Sequence, residues 1–304
     1  MIAGFAVTST VVGHFLDPFS PQRLIRVTAS AAGIALLLAV AALFGVENAQ
    51  GRGDSAPAGG ASTGSPTAAP TGAAVTRGHG SFSAALRQVW ADPVARRFTA
   101  FVFVSMLAYS AEELLLEPFF GLIFGYSLGD SARLSGSWHA AVMLGMVCIG
   151  CAASSNRRLG SLRAWTIAGC CASALAIGSL AGAAVVGTAW PLRVSVMTLG
   201  FANGIFAVAA IGSMMELGSA GEARSAGVRM GLWGAAQAVA FALGGLCGTG
   251  LMDGIRWLAG SAVVAFAAVF MLEAALFLAA AHLAAHIQSS PRREPETPDM
   301  AVIA

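Results

Sequence analysis

Lysine is missing altogether: the 17 basic residues of this 304-residue chain are all arginine. Charge of either sign is scarce, at 11% of residues, where a soluble globular domain carries about 25%. Too little polar surface remains to clothe a soluble enzyme, and too few polar residues to keep a chain disordered. Cysteine is sparse as well. The five cysteines, Cys148, Cys151, Cys170, Cys171 and Cys247, all sit in apolar stretches, which excludes a disulfide scaffold. Cys148 and Cys151 have the spacing of a redox or zinc pair, but Met, Val, Ile, Gly and Ala surround them, so they read as small packing residues. A net charge of +2 gives no argument for nucleic acid as a partner. No basic segment precedes the first apolar stretch, so nothing reads as a cleavable signal peptide. A glycine-rich phosphate loop, a paired metal-ligand spacing and a nucleophile with a matching base are all absent, which argues against an enzyme.

What fills the chain is apolar: 57% of residues are hydrophobic and the mean hydropathy is +0.74. That composition belongs to an all-α integral membrane protein with many helices. A bilayer core of about 30 Å takes roughly 20 apolar residues in a helix, because lipid cannot satisfy an open backbone. Eight runs meet or approach this length, near 1–16, 27–46, 98–122, 138–155, 164–188, 194–216, 230–252 and 260–283. The first is short and starts without a polar flank, like a helix entered part-way.

Arginine placement predicts the orientation. With eight spans, the loops on the side of the two termini hold 12 arginines and the opposite loops hold five, Arg23, Arg26, Arg133, Arg193 and Arg256. Both termini are therefore expected in the cytoplasm. Residues 47–83 are Gly, Ala, Ser, Thr and Pro with few large side chains, a composition that predicts a flexible cytoplasmic linker. Residues 84–97, with Trp90, Arg96 and Arg97, suggest an amphipathic interfacial helix. The organisation is then two spans (1–46), a linker and interfacial helix (47–97), six spans (98–286) and a polar cytoplasmic tail (287–304). Six spans after a central loop match the second half of a major facilitator-type bundle, so about eight of twelve transmembrane helices are expected here.

Four stretches carry a more specific likeness: SAEELLLEPFFGLIFG at 110–125, GHFLDPFSPQRLI at 13–25, GFANGIFAVAAIGSMMEL at 200–217 and GLWGAAQAVAFALGG at 231–245. Together they resemble the PucC-like bacteriochlorophyll delivery family, light-harvesting assembly factors within the major facilitator superfamily. Glu112 departs from the glutamine usual in that pattern. The resemblance covers nearly the whole chain outside the linker and tail, and implies that the first four of twelve spans are lacking. It further implies a non-enzymatic assembly factor that handles bacteriochlorophyll as cargo, with no covalently bound cofactor. The implied partners are light-harvesting α/β polypeptides and bacteriochlorophyll synthase, with a separate chain as one source of the lacking helices. The implied location is the bacterial inner, intracytoplasmic photosynthetic membrane. The alternatives are a secondary transporter of a small solute, or an inactive fragment of either.

Charges at membrane depth are costly and are the first functional candidates. Glu112, Glu113 and Glu117 lead. Glu113 and Glu117 share a helix face, with Glu112 about 100° round from Glu113. All three are expected to point into the bundle, either as a polar pigment or substrate site, with a carboxylate offered to a chlorin magnesium, or as a hydrogen-bonded packing cluster. Pro118 should free a backbone carbonyl beside them. Glu273 falls mid-span in the last helix, and Asn203 and Gln237 lie within the sixth and seventh spans. Each is a candidate for the same site or for interhelical hydrogen bonding. Among the histidines, His79 falls in the linker, His14 and His139 are expected at the outer ends of their spans, and Trp138 beside His139 as an interfacial anchor. His282 and His286 share a face but lack further metal ligands. The glycines of 200–212 and 231–250 allow close helix approach.

Overall fold

The computed structural model describes residues 2–50, 87, 90–154, 160–219 and 223–287. Among these the chain is all α, with eight numbered helices: α1 Ile2–Phe15, α2 Pro21–Gln50, α3 Pro93–Phe124, α4 Leu128–Ser154, α5 Leu162–Val186, α6 Leu192–Ser219, α7 Ala223–Ala259 and α8 Ala262–Ala285. Every expected span has its helix. Seven are long and apolar enough to cross a membrane, and α1 is the short exception at 14 residues. Residues 47–50 continue α2, while the linker from 51 to 86, with His79, and the tail from 288 lie outside the described residues.

Two boundaries moved for readable reasons. α3 starts at Pro93, where Asp92 caps it by accepting a hydrogen bond from the Val94 amide at 2.9 Å. Asp92 also pairs with Arg229 on α7 at 2.8 Å. The basic pair Arg96–Arg97 therefore belongs to the first turns of the span. α4 starts at Leu128, ten residues before the apolar run, because its polar opening is satisfied locally. Arg133 bridges Asp130 and Asp17, each at 2.6 Å, and Ser127 accepts from the Asp130 amide at 3.0 Å.

Those contacts also sort the loops. The α1–α2 turn meets the α3–α4 turn through Asp17 and Arg133. At the opposite end Asp92 meets Arg229, and Arg97 donates to the His286 carbonyl at 3.2 Å. The helices thus alternate in direction, as consecutive spans must. Gly125, in the left-handed region at φ 68°, lets α3 end sharply; its amide returns to the Gly121 carbonyl.

The bundle is built from the pairs α5–α8, α3–α7, α4–α6, α5–α6 and α1–α4. Small residues set their spacing, since apolar lipid gives helices no hydrophobic reason to associate and close contact must supply it. A Cβ at Gly204 would overlap the Val142 carbonyl of α4, and one at Gly145 the Phe201 carbonyl of α6. Gly244 and Gly248 do the same for α7 against Leu107 and Ala111 of α3. An aromatic core fills the centre, with Phe119, Phe120, Phe266, Phe270 and Phe277 fully buried. α3 and α4 meet only sparsely, and the apolar window of α2 buries none of its residues.

Candidate functional site

The successive glutamates of α3 turn to different neighbours. Glu112 is fully buried. Its Oε1 accepts from Asn203 Nδ2 of α6 at 2.8 Å, and Asn203 Oδ1 in turn accepts from Ser173 Oγ of α5 at 2.7 Å. This chain ties three helices at membrane depth, and the second carboxyl oxygen of Glu112 has no hydrogen-bond partner among the described residues. Glu273 on α8 is 1% exposed, within electrostatic range of Glu112, and both of its oxygens lack partners there too. Phe270 and Phe277 share its helix face. Four helices thus converge on a buried polar centre of two carboxyls, one amide and one hydroxyl.

Glu113 and Glu117 do not join that centre. A rotation of 100° per residue turns both towards the sparse α3–α4 interface, where they are exposed. Ser135 Oγ of α4 donates to Glu117 Oε1 at 3.3 Å, and Glu113 lies within electrostatic range of His139. Pro118 lies inside a helix that continues to Phe124, on the same exposed side. Gln237 is exposed on α7. The six sequence candidates therefore divide three ways: Glu112, Asn203 and Glu273 in the core, Glu113 and Glu117 on an open face, and Gln237 apart.

The histidine and tryptophan of α4 need correction. With α4 starting at Leu128, Trp138 and His139 are ten and eleven residues into the helix, about 15–17 Å along its axis and near mid-membrane. Trp138 is 3% exposed, a core residue and not an interfacial anchor. Hydropathy missed this because Asp130 and Arg133 lower the score of residues that their mutual pairing keeps helical. His139 Nδ1 meets the Ser135 carbonyl at 2.9 Å, and its ring stacks on Phe5 of α1 at 5.3 Å and meets Trp138 edge-on at 4.6 Å. Tyr109 of α3 stacks on Trp138 at 6.4 Å and approaches Phe241 of α7 at 6.1 Å. Five rings from four helices form one continuous row.

His14 is exposed at the end of α1. The rings of His282 and His286 lie 4.3 Å apart, tilted by 45°, at the end of α8. Ser173, Tyr109, Phe5 and Phe241 are the participants that sequence reading missed. A lone serine in an apolar run gives no signal of its own, and an isolated tyrosine little more.

A family model described as "PUCC protein" matches residues 1–291. Among curated proteins, the chain is 43% identical over 290 residues to the "Bacteriochlorophyll synthase 44.5 kDa chain" of Rhodobacter capsulatus, covering 93% of this chain and 61% of that one. It is 28% identical over 257 residues to an "Uncharacterized protein in puhA-bchM intergenic region" of Rhodobacter capsulatus, covering 83% and 48% respectively. The chain thus spans about half to three-fifths of the length of these curated relatives. No solved structure matches it.

Proposed function

Because the chain belongs to the PucC protein family, we propose that it handles bacteriochlorophyll during assembly of light-harvesting complexes. Its cargo is pigment, passed to antenna α/β polypeptides, and it works beside bacteriochlorophyll synthase without catalysing a reaction itself. The observation that carries this is 43% identity, over 93% of the chain, to a protein named as a bacteriochlorophyll synthase chain.

The physical setting suits such a role. The buried Glu112–Asn203–Ser173 chain holds three helices in fixed register, so the bundle offers a stable wall. Beside α1, the exposed Phe5 stacks on the half-buried His139 at membrane depth, where a flat apolar macrocycle with a long hydrocarbon tail travels. The apolar surface of α2, whose window buries none of its residues, suits transient contact with a helix of an antenna polypeptide. The membrane is the photosynthetic inner membrane, with the arginine-rich end of the bundle, at Arg97 and Arg229, in the cytoplasm.

Affinity purification from a phototrophic host in mild detergent tests the proposal. Enrichment of antenna α/β polypeptides and bacteriochlorophyll synthase, relative to an unrelated multi-span protein, is expected. Recovery of neither, together with substrate-dependent solute flux in liposomes, would replace the proposal with a transporter.

A further inference from the structure

His139 is the side chain whose chemistry the buried centre does not use. The Ser135 carbonyl can only accept, so the hydrogen bond at 2.9 Å fixes the proton on Nδ1. In the neutral ring Nε2 then carries a free lone pair, and it has no hydrogen-bond partner among the described residues. A backbone carbonyl holding the far nitrogen is the arrangement by which proteins orient a histidine towards a metal. Its place is equally particular: half-buried, about half-way along α4, against Phe5 of α1. Phe5, about half exposed, covers one face of the ring, and the buried Trp138 meets it edge-on from the core side.

His286 offers a direct comparison. Its Nδ1 is held by the His282 carbonyl at 2.8 Å in the same way, but it lies exposed at the end of α8. Of the neighbouring carboxyls, Glu117 already accepts from Ser135 and Glu113 lies on the exposed side of α3. His139 alone among these groups combines membrane depth, a fixed tautomer and an exposed aromatic neighbour.

We propose that Nε2 of His139 is the axial ligand for the magnesium of a bacteriochlorophyll-type chlorin, beside the exposed Phe5. Four ring nitrogens already hold that ion, so a single neutral donor completes the site. This assignment rests on the pigment-handling reading given above.

The test offers the purified full chain equal amounts of bacteriochlorophyll a and bacteriopheophytin a, the same macrocycle without magnesium. The chain should retain the magnesium form by about tenfold or more, the scale on which metal-site contacts act, with the resonance Raman signature of five-coordinate magnesium. His139→Gly should lose both the preference and the signature, and added imidazole should restore them. His286→Gly should change neither. If the glycine variant fails to fold, His139→Leu fills the same space and should show the same loss. Retention of the magnesium form with unaltered preference and signature in the His139 variants overturns the ligand assignment and leaves the pigment reading intact. Failure of the unsubstituted chain to retain either pigment overturns both.

Discussion

Replacing Asn203 by leucine removes two hydrogen bonds at once, the donation to Glu112 at 2.8 Å and the acceptance from Ser173 at 2.7 Å. Interhelical hydrogen bonds in membranes average about 0.6 kcal/mol and reach about 1.7, so two bonds are worth roughly 1–3 kcal/mol. The upper part of that range applies here. Glu112 already has one oxygen without a partner, and the substitution would leave both so, in a core where water cannot reach them. A buried polar group left unpaired costs about 1–3 kcal/mol by itself. Asn203→Leu should therefore destabilise the bundle by about 2–3 kcal/mol, roughly a 30- to 150-fold shift in the folding equilibrium. Glu112→Gln keeps an acceptor for Asn203 Nδ2 and should cost less than about 1 kcal/mol. Changing both to leucine should recover much of the loss, because deleting both partners leaves no orphan between them and Ser173 can turn to its own helix carbonyl. With Glu112→Leu as the fourth corner of the leucine cycle, equilibrium unfolding in mixed micelles of rising dodecyl sulfate fraction, followed by tryptophan fluorescence, reads all of these variants. Asn203→Leu indistinguishable from the parent, or Glu112→Gln costing as much as Asn203→Leu, would refute the reasoning.

Gly204→Ala should loosen α4 from α6 by about 1–3 kcal/mol, since its Cβ would meet the Val142 backbone; Gly178→Ala, with nothing within 4 Å, should be neutral or stabilising by up to about 1 kcal/mol. Melting temperatures in one detergent compare the two. Asp92→Ala should cost about 1–2 kcal/mol by removing the α3 cap and the Arg229 pair together. Its signature is faster hydrogen exchange confined to the first turns of α3. Arg133→Ala should cost no more than about 1 kcal/mol, because its ion pairs are partly exposed, and the cost should shrink as salt rises.

Element existence was easy to read because lipid demands long apolar runs, and eight such runs became eight helices. Boundaries were harder where polar residues neutralise each other. The opening of α4 looks like a loop until Arg133 is seen between Asp17 and Asp130, residues separated by more than a hundred positions. That error carried Trp138 and His139 to the wrong depth. The site was legible in kind but not in grouping. Helical rotation alone says that Glu112 and Glu113 face differently, yet which of them meets Asn203 depends on how α3 is rolled against α6. The glycine-rich stretches of α6 and α7 predict close contact, and at Gly200, Gly204, Gly244 and Gly248 neighbouring helices fill the space. At Gly231, Gly234 and Gly250 nothing lies within 4 Å, so glycine content by itself does not locate a contact.

The central claim, that this membrane bundle handles bacteriochlorophyll, is tested most directly by the absorption spectrum of the protein purified in mild detergent from a phototrophic host. Bacteriochlorophyll bands at near-stoichiometric amounts, absent from an unrelated membrane protein purified alongside, are the expected result. A colourless preparation, unchanged when pigment is added back, would contradict it.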